Sequence, residues 1–136
     1  MIDQFIDLYI VIAEDDPDDR DIIQDCFEGH SAFSKVELVN NGQELLNVLK
    51  RNESKQPDVI LTDINMPIMD GIQAIQILRN DQRFKAIPTF VYSTSINPAY
   101  KEICKKLGVS GYLVKPVELS DFNLIPIDIV EVLAQK

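Results

Sequence analysis

Short apolar runs rich in β-branched residues alternate along this chain with segments whose apolar residues recur at helical spacing. That alternation constrains the fold more than any other feature. The runs are Leu8–Ala13, Val36-Glu37-Leu38-Val39, Val59–Asp63, Thr89–Ser93 and Gly111–Val114. After the first run a helix opens at Pro17 with Asp16 as its N-cap, carries Ile22, Ile23, Cys26 and Phe27 on one face, and stops at Gly29. A second helix runs from Glu44 to about Lys50, after the turn cluster Asn40-Asn41-Gly42. A third starts near Gly71 and passes through Ile72, Ile75 and Leu78; a fourth runs from Pro98 to Leu107-Gly108. Proline is costly inside a helix, so the fifth is expected to begin at Pro126 and end near Gln135. Strands this apolar need cover on both faces, which helical crossovers supply in a parallel sheet. The expectation is an α/β fold: a doubly wound, five-stranded parallel sheet in the order 2-1-3-4-5 with helices on both faces. All 136 residues are assigned to one domain, its core running from about 8 to 135.

Chemistry collects where the runs end. In an open α/β sheet, ligands bind at the carboxyl ends of the strands. Glu14, Asp15 and Asp16 follow the first run, Asp63 closes the third, Ser93 and Thr94 the fourth, and Lys115 the fifth. Clustered carboxylates repel one another, and a hard cation relieves that repulsion. Mg²⁺ prefers oxygen ligands and often combines one or two carboxylates with a phosphate. Lys115 offers a point charge for a phosphoryl oxygen, Ser93 a hydroxyl donor, and Asp63 a carboxylate able to form an acyl phosphate. The residues therefore point to a divalent-cation site that handles phosphate.

Composition removes other classes. The net charge of −9 argues against nucleic acid and anionic membranes as partners. No apolar stretch approaches the roughly 20 residues that span a bilayer. The start, Met1-Ile2-Asp3-Gln4-Phe5, has no basic segment of the signal-peptide kind. Cys26 and Cys104 lack metal or redox spacing and fall at apolar helix positions, as reduced core thiols do. A cytoplasmic location is expected.

Taken together these motifs resemble the receiver domain of two-component response regulators. The resemblance is carried by the acidic pair Glu14-Asp15 and by Asp63-Ile64-Asn65-Met66-Pro67-Ile68-Met69-Asp70-Gly71. The hydroxyl of Ser93 and the run Gly111-Tyr112-Leu113-Val114-Lys115-Pro116 complete it. It covers nearly the whole chain and implies a flavodoxin-like fold. By resemblance, Asp63 is the phosphoacceptor, charged from a phosphohistidine on a sensor histidine kinase or a histidine phosphotransfer protein. Asp15 is then the direct Mg²⁺ ligand, Glu14 its partner acting largely through water, and Asn65 a ligand through its backbone carbonyl. Ser93 is the switch hydroxyl, Tyr112 the aromatic that reports activation, and Lys115 the phosphoryl-binding lysine. Pro116 is expected to follow a cis bond. Asn65 and Ser95 occupy the positions that tune hydrolysis. Such a protein has no conventional substrate turnover; it catalyses its own phosphorylation and the hydrolysis of its aspartyl phosphate. Phosphorylation is expected to alter a face near Tyr100, Lys101, Lys105, Lys106 and Val117. No output domain follows Lys136, so a stand-alone receiver is expected, signalling by protein binding to an unidentified downstream partner or by onward phosphotransfer.

Other readings carry their own expectations. Asp16 reads as a cap, Asp18 and Asp19 as acids favourable to a helix dipole, and His30 as an exposed loop residue. A pseudo-receiver, binding partners without phosphate, would not need Glu14, Asp15, Asp63, Ser93 and Lys115 together. A haloacid-dehalogenase-like phosphatase needs a general acid where Asn65 stands. A flavodoxin-type carrier would bring a flavin phosphate against Glu14-Asp15-Asp16, which would repel it. The segment Asp121–Pro126 departs from the family pattern, so no family dimer mode is carried over.

Overall fold

Parallel strands whose side chains alternate between two apolar faces account for the architecture. The computed structural model describes residues 7–52, 54–94 and 97–135; Ser95 and the first residues of the chain lie outside that set. Strands β1 (Leu8–Ala13), β2 (Phe33–Val39), β3 (Val59–Asp63), β4 (Thr89–Ser93) and β5 (Gly111–Val114) form one parallel sheet in the order β2-β1-β3-β4-β5. The helices are α1 (Pro17–Glu28), α2 (Gly42–Arg51), α3 (Gly71–Arg79), α4 (Pro98–Lys106) and α5 (Leu124–Ala134). On one face Ile10, Ile12, Leu61 and Phe90 pack against Ile23 and Phe27 of α1 and Ile129 of α5. On the other, Tyr9, Val11 and Ile60 meet Leu45 and Leu49 of α2 and Leu78 of α3. Val91 and Cys104 of α4 share a third cluster with Ile64 and Ile75. β1, β3 and β4 are buried along their full lengths, as expected for strands covered on both sides.

Departures from expectation sit at element ends. β2 begins at Phe33, three residues before the apolar run suggests, because an edge strand accepts exposed Ser34 and Lys35. α2 begins at Gly42: the Asn41 side chain accepts from the Glu44 N–H and caps it. α5 begins at Leu124, directly after a 3-10 turn over Leu119–Asn123. Pro126 is its third residue, where a backbone N–H would have no intrahelical acceptor, so the proline removes nothing. His30 is half-buried; its Nδ1 accepts from the Ala32 N–H and its ring packs edge-on against Phe33. Cys26 and Cys104 are free, and burial pushes both thiols up, which keeps them protonated and unreactive.

No cis peptide bond occurs among the described residues. The Lys115–Pro116 bond, expected to be cis, is trans. The trans form is intrinsically favoured even before proline. In it the Lys115 N–H already donates to the Ser93 carbonyl at 2.9 Å and its ammonium already reaches Asp63 at 2.9 Å, so nothing in the strand end requires the other isomer.

Candidate functional site

The register of the sheet brings the acids to one edge. Ala13 is level with Thr62 and Asp63 with Tyr92, so Glu14, Asp63 and Ser93 leave neighbouring strands side by side. Ser93 pairs with Val114, which sets Lys115 next to them. Arg20 ties the first of these strand ends down by donating to the carbonyls of Glu14 and Val39. Below Asp63, the loop folds back so that the Gly71 N–H donates to the Ile64 carbonyl at 2.9 Å. Asp70 then caps α3, and Gln73 returns the bond to the Asp70 N–H.

Carboxylate oxygens of Glu14, Asp15 and Asp63 lie within 4.8 Å of one another. Glu14 and Asp63 are buried, whereas Asp15 reaches solvent. The Lys115 ammonium sits among them, 2.7 Å from Glu14 Oε1, 2.9 Å from Asp63 Oδ2 and 3.0 Å from Asp19 Oδ2. An ammonium has three protons to donate, and these three acids take them all. Burial would lower the Lys115 pKa, but the bonds to Glu14 and Asp63 outweigh it, and the group is held above its usual value. Burial raises the Glu14 carboxyl, against the pull of Lys115 and of Tyr92.

Three carboxylates thus contact one ammonium and a fourth, Asp15, lies beside two of them, leaving an excess of negative charge. The donors are all oxygen and the space between Glu14, Asp15 and Asp63 is open on the Asp15 side. This fits a hard divalent cation such as Mg²⁺ and not a soft metal.

The predicted residues converge unequally. Glu14, Asp15, Asp63 and Lys115 come together directly. Ser93 is buried at the neighbouring strand end, and its side chain shares a hydrogen bond with Tyr112, whose hydroxyl is raised above its ordinary value by burial. Thr94, the next residue, is exposed. Asn65 is exposed in the loop after Asp63. Two residues escaped the sequence reading. Asp19, taken for a dipole acid, bonds Lys115 from the first turn of α1, and no local spacing in the sequence pairs it with a residue so distant along the chain. Tyr92, a plain strand residue by sequence, donates its hydroxyl to Glu14 Oε1 at 2.5 Å.

Ile68, in the loop between Asp63 and α3, is 85% exposed and has φ +76°. A β-branched residue in the left-handed region is strained by about 1–2 kcal/mol. Ile68→Gly is therefore expected to raise stability by about 1 kcal/mol in urea unfolding; a loss would show that the loop draws support from this side chain.

Known proteins resemble the chain throughout. Residues 10–125 match the family described as the response regulator receiver domain. The crystal structure of RcpA, a phosphorylated cyanobacterial phytochrome response regulator, superposes with a TM-score of 0.86 at 30% identity, over 96% of each chain. The Mn²⁺-bound form of the response regulator Rcp1 gives 0.77 at 26% identity, over 90% of this chain and 91% of that one. The sensor histidine kinase CheAY of Helicobacter pylori is 36% identical over 109 residues, which are 79% of this chain and 13% of the kinase.

Proposed function

This chain belongs to the response regulator receiver domain family, and we propose that Asp63 is its phosphoacceptor, with residues from about 8 to 135 acting as one receiver unit. Receiver domains take phosphate from sensor histidine kinases; the donor here is such a kinase or a histidine phosphotransfer protein in the cytoplasm. No helix among the described residues is long and apolar enough to cross a membrane. The observation that carries the reading is the Lys115 ammonium 2.9 Å from Asp63 Oδ2, inside a cluster of acids with oxygen ligands to spare. A pseudo-receiver has no use for that arrangement.

The acid cluster and the Lys115–Asp63 contact support the following roles. Asp15 and Asp63, with the Asn65 carbonyl, would hold Mg²⁺, with Glu14 beside them. Bound there, Mg²⁺ supplies positive charge to the transferring phosphoryl oxygens. Asp63 attacks phosphorus through a carboxylate oxygen and the phosphohistidine nitrogen leaves. The Lys115 proton directed at Asp63 is the donor placed for a phosphoryl oxygen, and it costs no reorganisation because the side chain is already fixed. Ser93 has one proton to give and lone pairs to receive. It can donate to the phosphoryl group while accepting from Tyr112, which couples Asp63 to β5. That coupling biases the surface around α4, β5 and α5 between two preferences for a downstream protein or a further phosphotransfer partner. Val117, Tyr100, Lys101, Lys105 and Lys106 lie on or next to it.

The test is uptake from acetyl phosphate with Mg²⁺, read by intact mass. Wild type is expected to gain one phosphoryl group and Asp63→Asn none. A gain that survives Asp63→Asn would remove Asp63 from the role.

A further inference from the structure

A tyrosine hydroxyl on a strand with no access to water needs a hydrogen-bond partner. Tyr92 is fully buried in β4 beside Ser93, and its hydroxyl donates to Glu14 Oε1 at 2.5 Å. The face of the same ring lies 4.8 Å from Lys115 Nζ, which is 2.7 Å from that Oε1. One side chain therefore touches both members of the innermost ion pair. Burial first, and the negative Glu14 second, push ionisation of the hydroxyl far up, so it remains a donor at any working pH. The other oxygen of Glu14, Oε2, accepts from the Asp16 N–H at 3.1 Å. A carboxylate has about four acceptor directions, and Tyr92, Lys115 and Asp16 take three of them. Glu14 thus has the charge and the position to ligate a cation, but its oxygens are committed elsewhere.

We propose that Tyr92 is a positioning residue that holds the Glu14 carboxylate against Lys115 and so withholds it from the cation carried by Asp15 and Asp63. The inference rests on the receiver reading above. It gives the glutamate at this position a defined use: one of its oxygens meets the tyrosine and the lysine together. The ring adds a cation–π face that keeps the ammonium in place when its bond to Asp63 is exchanged for a phosphoryl oxygen.

Mn²⁺ binding to the phosphate-free protein, followed by the electron paramagnetic resonance signal of free Mn²⁺, tests this without any turnover. Tyr92→Phe keeps the ring and the core packing and removes only the donor. It is expected to bind Mn²⁺ about three- to tenfold tighter than wild type, as one hydrogen bond no longer competes for Glu14. Equal or weaker binding would overturn the proposal, because general loosening of the site cannot tighten it. Glu14→Gln tests the same point without altering Tyr92. It is expected to weaken Mn²⁺ binding less than Asp15→Asn does, and an equal loss would make Glu14 a ligand and end the proposal. Wild type that binds no Mn²⁺ would strike instead at the receiver reading.

Discussion

Lys115→Met is expected to slow phosphoryl uptake from acetyl phosphate at least about 100-fold at saturating Mg²⁺, the scale at which a preorganised charge acts on a transition state. Methionine keeps the length and the apolar stem but brings no proton. Three bonds disappear with the ammonium, to Glu14 Oε1, Asp19 Oδ2 and Asp63 Oδ2. The loss also reaches stability. Glu14 has no exposure and the Lys115 side chain only 6%, so the substitution leaves a buried carboxylate without its counter-ion. Breaking such a pair by removing one member costs about 3–5 kcal/mol, less whatever the acid recovers by taking up a proton. A divalent cation bound by the neighbouring acids replaces part of the missing charge. Mg²⁺ is therefore expected to stabilise Lys115→Met more than it stabilises wild type in urea unfolding. A variant that took up phosphoryl at the wild-type rate would remove Lys115 from the chemistry.

Gly71→Ala is the second large effect. A Cβ built on Gly71 would stand 2.1 Å from the Asp63 carbonyl oxygen and 3.1 Å from the Thr62 hydroxyl. Neither neighbour is free to yield. The Asp63 carbonyl accepts from Thr62 Oγ1 at 2.8 Å, and the Gly71 N–H closes the loop on Ile64. Overpacking against backbone at this distance is expected to cost about 3 kcal/mol, seen as a lower urea midpoint. The shift would be local to the acceptor, so phosphoryl uptake should fall as well. An alanine variant of wild-type stability would mean that the loop after Asp63 is not held as closely as its hydrogen bonds indicate.

The fold was legible wherever a boundary has a local chemical cause. Pro17 and Pro98 open helices, Gly71 begins α3, and Ala13 and Ser93 end strands at the expected residues. The boundaries that moved depend on surroundings that a sequence does not display. Ser34 and Lys35 join β2 because it lies at the sheet edge, and Pro126 is harmless because the preceding 3-10 turn lets α5 start two residues before it. The site was legible to the same extent. Asp63 and Ser93 end strands, Glu14, Asp15 and Lys115 directly follow strand ends, and the parallel order gathers them. Asp19 and Tyr92 belong to the site through packing. One needs α1 docked beside Lys115, and the other needs the side-chain alternation of β4 to aim its hydroxyl at Glu14. Tyr92 is also the residue through which this site differs from one read by motif, since its bond decides which partner Glu14 serves.

The most direct measurement is to locate the phosphoryl group. Protein incubated with acetyl phosphate and Mg²⁺ is treated with borohydride, which reduces an acyl phosphate to the alcohol and so turns an aspartate into homoserine; the position is then read by peptide mass spectrometry. Homoserine at position 63, and nowhere else, is the expected result. A phosphate that resists reduction and maps to Ser93, or homoserine at Asp15 or Asp19, would contradict Asp63 as the acceptor and with it the role assigned to Lys115.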